Sequence, residues 1–174
     1  MTPELPRIWI ITDPSHPDGP VAPIRRALEG CPLGVVGVQL RAKQASDRQL
    51  VQWGRELRTV THACRGALTV NRRVDVAQIV GADGVHLPEL GLPIADVREA
   101  WPTFGMLGVS RHDAAGLEAG EQDSASYAFL SRVLEPCLQC PRQSPAHRHP
   151  WLWDRDRRCR DSDIRARRNR RPGL

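Results

Sequence analysis

Residues 70–89, VNRRVDVAQIVGADGVHLPE, pack a strand, a helix and a second strand into very little chain. The first strand is ALTVN (67–71), the helical pattern is VDVAQIVGA (74–82), and the second strand is GVHL (84–87). This unit builds parallel sheets, because the crossover helix must carry the chain back along the sheet before the next strand can start.

The same unit recurs on both sides. Upstream, RIWIITD (7–13) reads as a strand, and GPVAPIRRALEG (19–30) as a loop and short helix ended by Gly30. VVGVQL (35–40) is mostly apolar on both faces, as a buried parallel strand should be. Ser46-Asp47 marks a helix start, and Leu50, Trp53, Leu57 and Val60 recur at helical spacing to about residue 63. Downstream come a helix at 94–101, a strand at GMLGVS (105–110), a helix over 113–120 and a strand near SYAFLSRV (126–133). Strict alternation of strand and helix predicts a parallel α/β sheet. A doubly wound sheet and a (β/α)8 TIM barrel both satisfy it, and periodicity alone does not choose between them.

Composition narrows the function classes. The chain has 174 residues and a formal net charge of +5, enough for one domain with a sizeable core. The basic excess is local: 11 arginines against 4 aspartates fall in residues 141–174, and the preceding part is slightly acidic. No apolar run is long enough for a membrane span, and MTPELPRIWIITD lacks the pattern of a secretory signal. The five cysteines (31, 64, 137, 140 and 159) are odd in number and unevenly spread, unlike a disulfide framework. A cytoplasmic protein without a membrane partner is the expectation.

Polar residues cluster where the strands end: Thr12-Asp13, then Gln39, Arg41 and Lys43, then Asn71, His86, and Ser110 with His112. In parallel barrels those ends converge on the face that carries the chemistry. If the second strand runs on to Lys43, Gln39, Arg41 and Lys43 project the same way. Two cations and an amide then form a phosphate clamp; the competing reading is a solvated strand end. His86, inside an apolar strand, reads as a core histidine.

Four pieces, IWIITD, VQLRAK, the 70–89 block and GVSRH (108–112), together resemble the thiamine phosphate synthase and thiazole tautomerase (TenI-like) family, in its order and near its spacing. The resemblance implies a TIM barrel of the thiamine phosphate synthase type over residues 5–135, incomplete at about six strands. It implies a small-molecule phosphate or diphosphate substrate held by Gln39, Arg41, Lys43, Asn71 and Ser110, and thiamine biosynthesis as the setting. The synthase branch joins a hydroxymethylpyrimidine diphosphate to a thiazole phosphate and uses Mg²⁺. Its two aspartates would fall at positions occupied here by Arg72 and Gly91, so the Mg²⁺ ligands are not preserved and no cofactor is expected. The tautomerase branch lacks both aspartates, shifts a proton on a thiazole carboxylate phosphate without metal, and uses a histidine two residues past a serine. Ser110-Arg111-His112 matches that spacing, making His112 the expected catalytic residue. The bland reading of His112 is a cap for the next helix or a side chain facing solvent.

Residues 136–174 form an irregular arginine-rich tail with no strand or helix period. Cys137-x2-Cys140 with His147, His149 and Cys159 offers zinc ligands, and the arginines could serve a nucleic-acid arm, although interleaved aspartates weaken it. A third reading is out-of-frame translation. Codons chosen for Asp161 to Arg171 and read one base later give TPIFALGGID, a strand followed by a Gly-Gly loop of the kind a barrel of this family places there. On that reading nucleic acid is not a partner. The edges of strands one and six would be exposed, with poor stability and little activity as the consequence.

Overall fold

The structure is a computed structural model and describes residues 5–130. The tail at 136–174, with its zinc, nucleic-acid and out-of-frame readings, lies outside the described residues. Among the described residues six strands and five helices alternate: β1 (Ile8–Ile11), α1 (Val21–Leu28), β2 (Val36–Leu40), α2 (Asp47–Ala63), β3 (Ala67–Asn71), α3 (Val74–Ile79), β4 (Gly84–Leu87), α4 (Ile94–Ala100), β5 (Met106–Arg111), α5 (Ala114–Gln122) and β6 (Tyr127–Leu130). The strands pair in chain order, and every pairing is parallel. The continuation of β6 expected to residue 133 lies outside the described residues.

The sheet is curled. Six flat strands would hold the first and last about 24 Å apart, yet Trp9 of β1 stacks on Tyr127 of β6 with ring centroids 4.5 Å apart. This curl selects the barrel over the open doubly wound sheet. Val36, Val38 and Leu40 of β2, Leu68 and Val70 of β3, Val85 and Leu87 of β4, and Leu107 and Val109 of β5 pack in one core with the inner faces of the helices. Each such side chain, fully buried, contributes about 1.5–3 kcal/mol. The alternate positions face the inside of the curl, where most residues are polar, aromatic or glycine, with Ala67 and Met106 as buried exceptions. Glycine is required at Gly108: a Cβ there would lie 2.1 Å from Tyr127 Cζ.

Local chemistry sets the element ends. Ser46 caps α2 in a capping box with Gln49, whose side chain accepts from the Ser46 backbone N–H at 3.0 Å. The helix expected over 74–82 is shorter, because Gly81 adopts φ +65° and closes a Schellman turn: Ala82 N–H donates to Ala77 O at 2.9 Å and Gly81 N–H to Gln78 O at 3.2 Å. Asp83 then ties three elements together, its Oδ2 accepting from Leu68 N–H and from Arg58 of α2, both at 2.7 Å. Among the described residues no helix is long and apolar enough to cross a membrane.

Candidate functional site

Parallel pairing brings all the strand C-termini to one rim, and a cavity of about 560 Å³ opens there. Arg41 and Lys43 reach it from the loop after β2, Asn71, Arg72 and Arg73 from the end of β3, Glu89 from the end of β4, and Ser110 and His112 from β5 and the loop after it. Five of the six residues expected from sequence therefore line one cavity.

The sixth, Gln39, sits below them. It is buried, and its Nε2 donates to Asn71 Oδ1 at 3.1 Å. The row of Gln39, Arg41 and Lys43 expected along one extended strand does not form, because β2 ends at Leu40. The Thr12 hydroxyl ends it: Oγ1 accepts from Arg41 N–H at 2.9 Å and donates to Arg41 O at 3.2 Å, engaging the backbone groups that a longer strand would use. The two cations approach the cavity from a loop, and the amide approaches from the interior. Gln39 Oε1 is buried without a hydrogen-bond partner among the described residues, an unmet acceptor beside Asn71.

His112 does not cap the following helix. Asp113 does so, its Oδ1 accepting from Gly116 N–H at 2.7 Å. His112 instead places Nδ1 2.6 Å from Glu89 Oε2, both side chains being partly exposed at the rim. A carboxylate on Nδ1 fixes the tautomer that carries hydrogen there and leaves the Nε2 lone pair free to take a proton. Sequence reasoning missed this pair; 23 residues separate its members, and only the adjacency of β4 and β5 brings them together.

His86 is a core histidine, as expected, but it reaches the site from below. It is buried, with Nε2 2.8 Å from Ser110 Oγ and Nδ1 3.3 Å from Tyr127 OH. Burial lowers its pKa to about 4, and the positive charges of Arg41 and Arg111 act in the same sense. The imidazole is therefore neutral at physiological pH and orients the Ser110 hydroxyl.

The lining does not suit a divalent metal. Among the described residues no three His, Cys, Asp or Glu side chains converge on a metal position. Among the described residues the cavity has one carboxylate, Glu89, already engaged by His112. Gly91 lies in a turn, its N–H donating to Pro88 O at 2.8 Å, and the residue after Asn71 is a cation. Mg²⁺ requires several hard oxygen ligands, so these residues do not fit the Mg²⁺ of the synthase branch.

Comparison with known proteins agrees with this architecture. The family model described as thiamine monophosphate synthase matches residues 8–137. The thiamine-phosphate synthase of Methanococcus maripaludis strain C5 is 33% identical over 127 residues, covering 73% of this chain and 59% of that protein. That of Synechococcus sp. strain WH7803 is 32% identical over 144 residues, 83% of this chain and 39% of the relative. The solved structure of the thiamine phosphate pyrophosphorylase of Pyrococcus furiosus superposes with a TM-score of 0.65 at 31% identity, covering 74% of this chain and 61% of that one. The chain thus spans about 40–60% of the length of these three proteins.

Proposed function

The chain belongs to the thiamine monophosphate synthase family, and from that premise we propose that it acts in thiamine biosynthesis as a metal-independent tautomerase of a thiazole carboxylate phosphate. The observation that carries this reading is the His112–Glu89 pair on a cavity whose other charged groups are all cationic. With Nδ1 held by Glu89, His112 Nε2 takes a proton from one ring position of the substrate and returns it to another. The reaction is an isomerisation, and neither oxidant nor co-substrate is needed. Arg41 and Lys43 neutralise the anionic groups of the substrate, while Asn71 and Ser110, fixed from below by Gln39 and His86, orient it. A second reading, thiamine phosphate synthase proper, draws on the names of the Methanococcus and Synechococcus relatives; a cavity lining with Glu89 as its one carboxylate among the described residues weighs against it.

The test is to follow conversion of the thiazole carboxylate phosphate tautomer by the 174-residue chain, with solvent deuterium entering the product ring. His112→Ala should lower the rate by about 10²–10⁴-fold, the usual worth of a positioned acid–base group. Turnover unchanged in that variant would sink the assignment. Coupling of the pyrimidine diphosphate to thiazole phosphate would select the second reading. Turnover at a rate typical of enzymes would also remove the expectation that residues 136–174 impair the protein.

A further inference from the structure

Two consecutive arginines follow β3, and the fold treats them in opposite ways. Arg73 is internally neutralised: Nη1 donates to Asp47 Oδ1 at 2.5 Å, and Nε and Nη2 donate to the Asp75 carboxylate at 2.9 and 2.6 Å. These bonds raise its pKa and hold the start of α3 against the start of α2. Arg72 has no ion-pair partner among the described residues, and neither do Arg41 and Lys43.

Arg72 also holds an unusual backbone. Its φ is +68°, in the left-handed region, which costs a residue with a Cβ on the order of 1–2 kcal/mol. Two hydrogen bonds bracket the turn: Arg72 N–H donates to His86 O at 2.8 Å, and Arg73 N–H donates back across Arg72 to Asn71 O at 2.8 Å. In an extended strand, successive side chains point to opposite faces, yet Asn71 and Arg72 both line the cavity. The left-handed turn breaks the alternation and brings a third unpaired cation to the group that Arg41 and Lys43 begin.

We propose that Arg72 makes this cavity a metal-independent phosphoryl site, in which the guanidinium supplies from the chain itself the charge that a divalent cation would otherwise bring. This rests on the reading of the cavity as the substrate site. A planar guanidinium offers paired N–H donors that match two phosphoryl oxygens. The same fixed charge repels Mg²⁺, and the cavity's one carboxylate is engaged elsewhere, so anion binding and metal exclusion have one cause.

The experiment is calorimetric titration of the full chain with inorganic pyrophosphate, first with EDTA and then with excess Mg²⁺. Pyrophosphate should bind in EDTA, excess Mg²⁺, which complexes free pyrophosphate, should not strengthen that binding, and Arg72→Ala should weaken binding in EDTA at least about tenfold, or about 1.4 kcal/mol. Arg26→Ala, which removes a cation outside the cavity lining, should weaken it less than about threefold. Binding abolished by EDTA, absent from the wild type, or unchanged in a folded Arg72→Ala protein would overturn the inference. Arg72-dependent pyrophosphate binding without turnover of the thiazole would leave this inference standing and remove the proposed function. Turnover with pyrophosphate binding indifferent to Arg72 would do the reverse.

Discussion

The inside of the curled sheet and its C-terminal rim use the same strands for opposite chemistry. Inside, His86, Ser110, Tyr127 and Thr69 bond to one another, and Trp9, Tyr127, Phe129 and His86 stack between the edge strands. At the rim, Arg41, Lys43 and Arg72 carry charges with no ion pair among the described residues. Ser110 belongs to both regions, bonded to His86 from below and open to the cavity above. Polar groups that satisfy one another specify the structure, and groups left without internal partners are available to a ligand. Interior substitutions should therefore cost stability, and rim substitutions should cost binding or turnover.

The largest stability effect should come from Gly108→Ala. The added methyl would sit 2.1 Å from a Tyr127 ring carbon, with β5 and β6 paired at this position. Chemical denaturation should show a loss of about 3 kcal/mol, the upper end for overpacking. Tyr127→Ala in the same chain should recover part of that loss in a double-mutant cycle. Additive losses would show that the inner aromatic packing is looser than described. His112→Ala provides the contrast at the rim, where stability should change by less than about 0.5 kcal/mol while turnover falls.

Comparable in size is the pH dependence set by His86. Its folded pKa is about 4, below the ordinary value of 6.5. Between these values the unfolded chain takes up a proton that the folded chain refuses, so stability falls as pH drops from about 6.5 towards 4. The fall from this one group is about 3 kcal/mol. Denaturation at a series of pH values should show that slope, and His86→Gln should flatten it. A slope unchanged in the variant would assign the acid sensitivity elsewhere.

The smallest effect should belong to Glu89→Gln. The amide oxygen of that variant can still accept from His112 Nδ1, but it no longer stabilises the imidazolium formed in the proton shift. We expect kcat to fall about tenfold with KM little changed, and stability to stay within about 0.5 kcal/mol because the pair is partly exposed. A rise in KM at constant kcat would make Glu89 a substrate-binding group instead.

How far the sequence reached varies along the chain. β3 and β4 fall where the apolar runs place them, because a strand buried on both faces is apolar along most of its length, Thr69 and His86 being buried polar exceptions. The start of α2 was legible in Ser46, since the cap and its partner lie three residues apart. The end of α3 was misplaced by three residues: Ala77 to Ala82 keeps an apolar character that reads as helix, but the left-handed Gly81 stops the coil first. The clamp of Gln39, Arg41 and Lys43 failed as one strand face for a longer-range reason. The hydroxyl that ends β2 comes from Thr12, just past a neighbouring strand and 29 residues away.

The sequence by itself determined the alternation of strand and helix, the parallel sheet and the residue types that gather at the rim. All of these follow from short-range periodicity and local patterns, which depend on neighbours a few positions away. The tertiary structure alone decided that the sheet curls until Trp9 meets Tyr127, that Glu89 holds His112, that Ser110 rests on His86, and that Arg72 stays unpaired while Arg73 is neutralised. Each of these depends on the distance between groups far apart in sequence, and strand pairing is what makes such distances short.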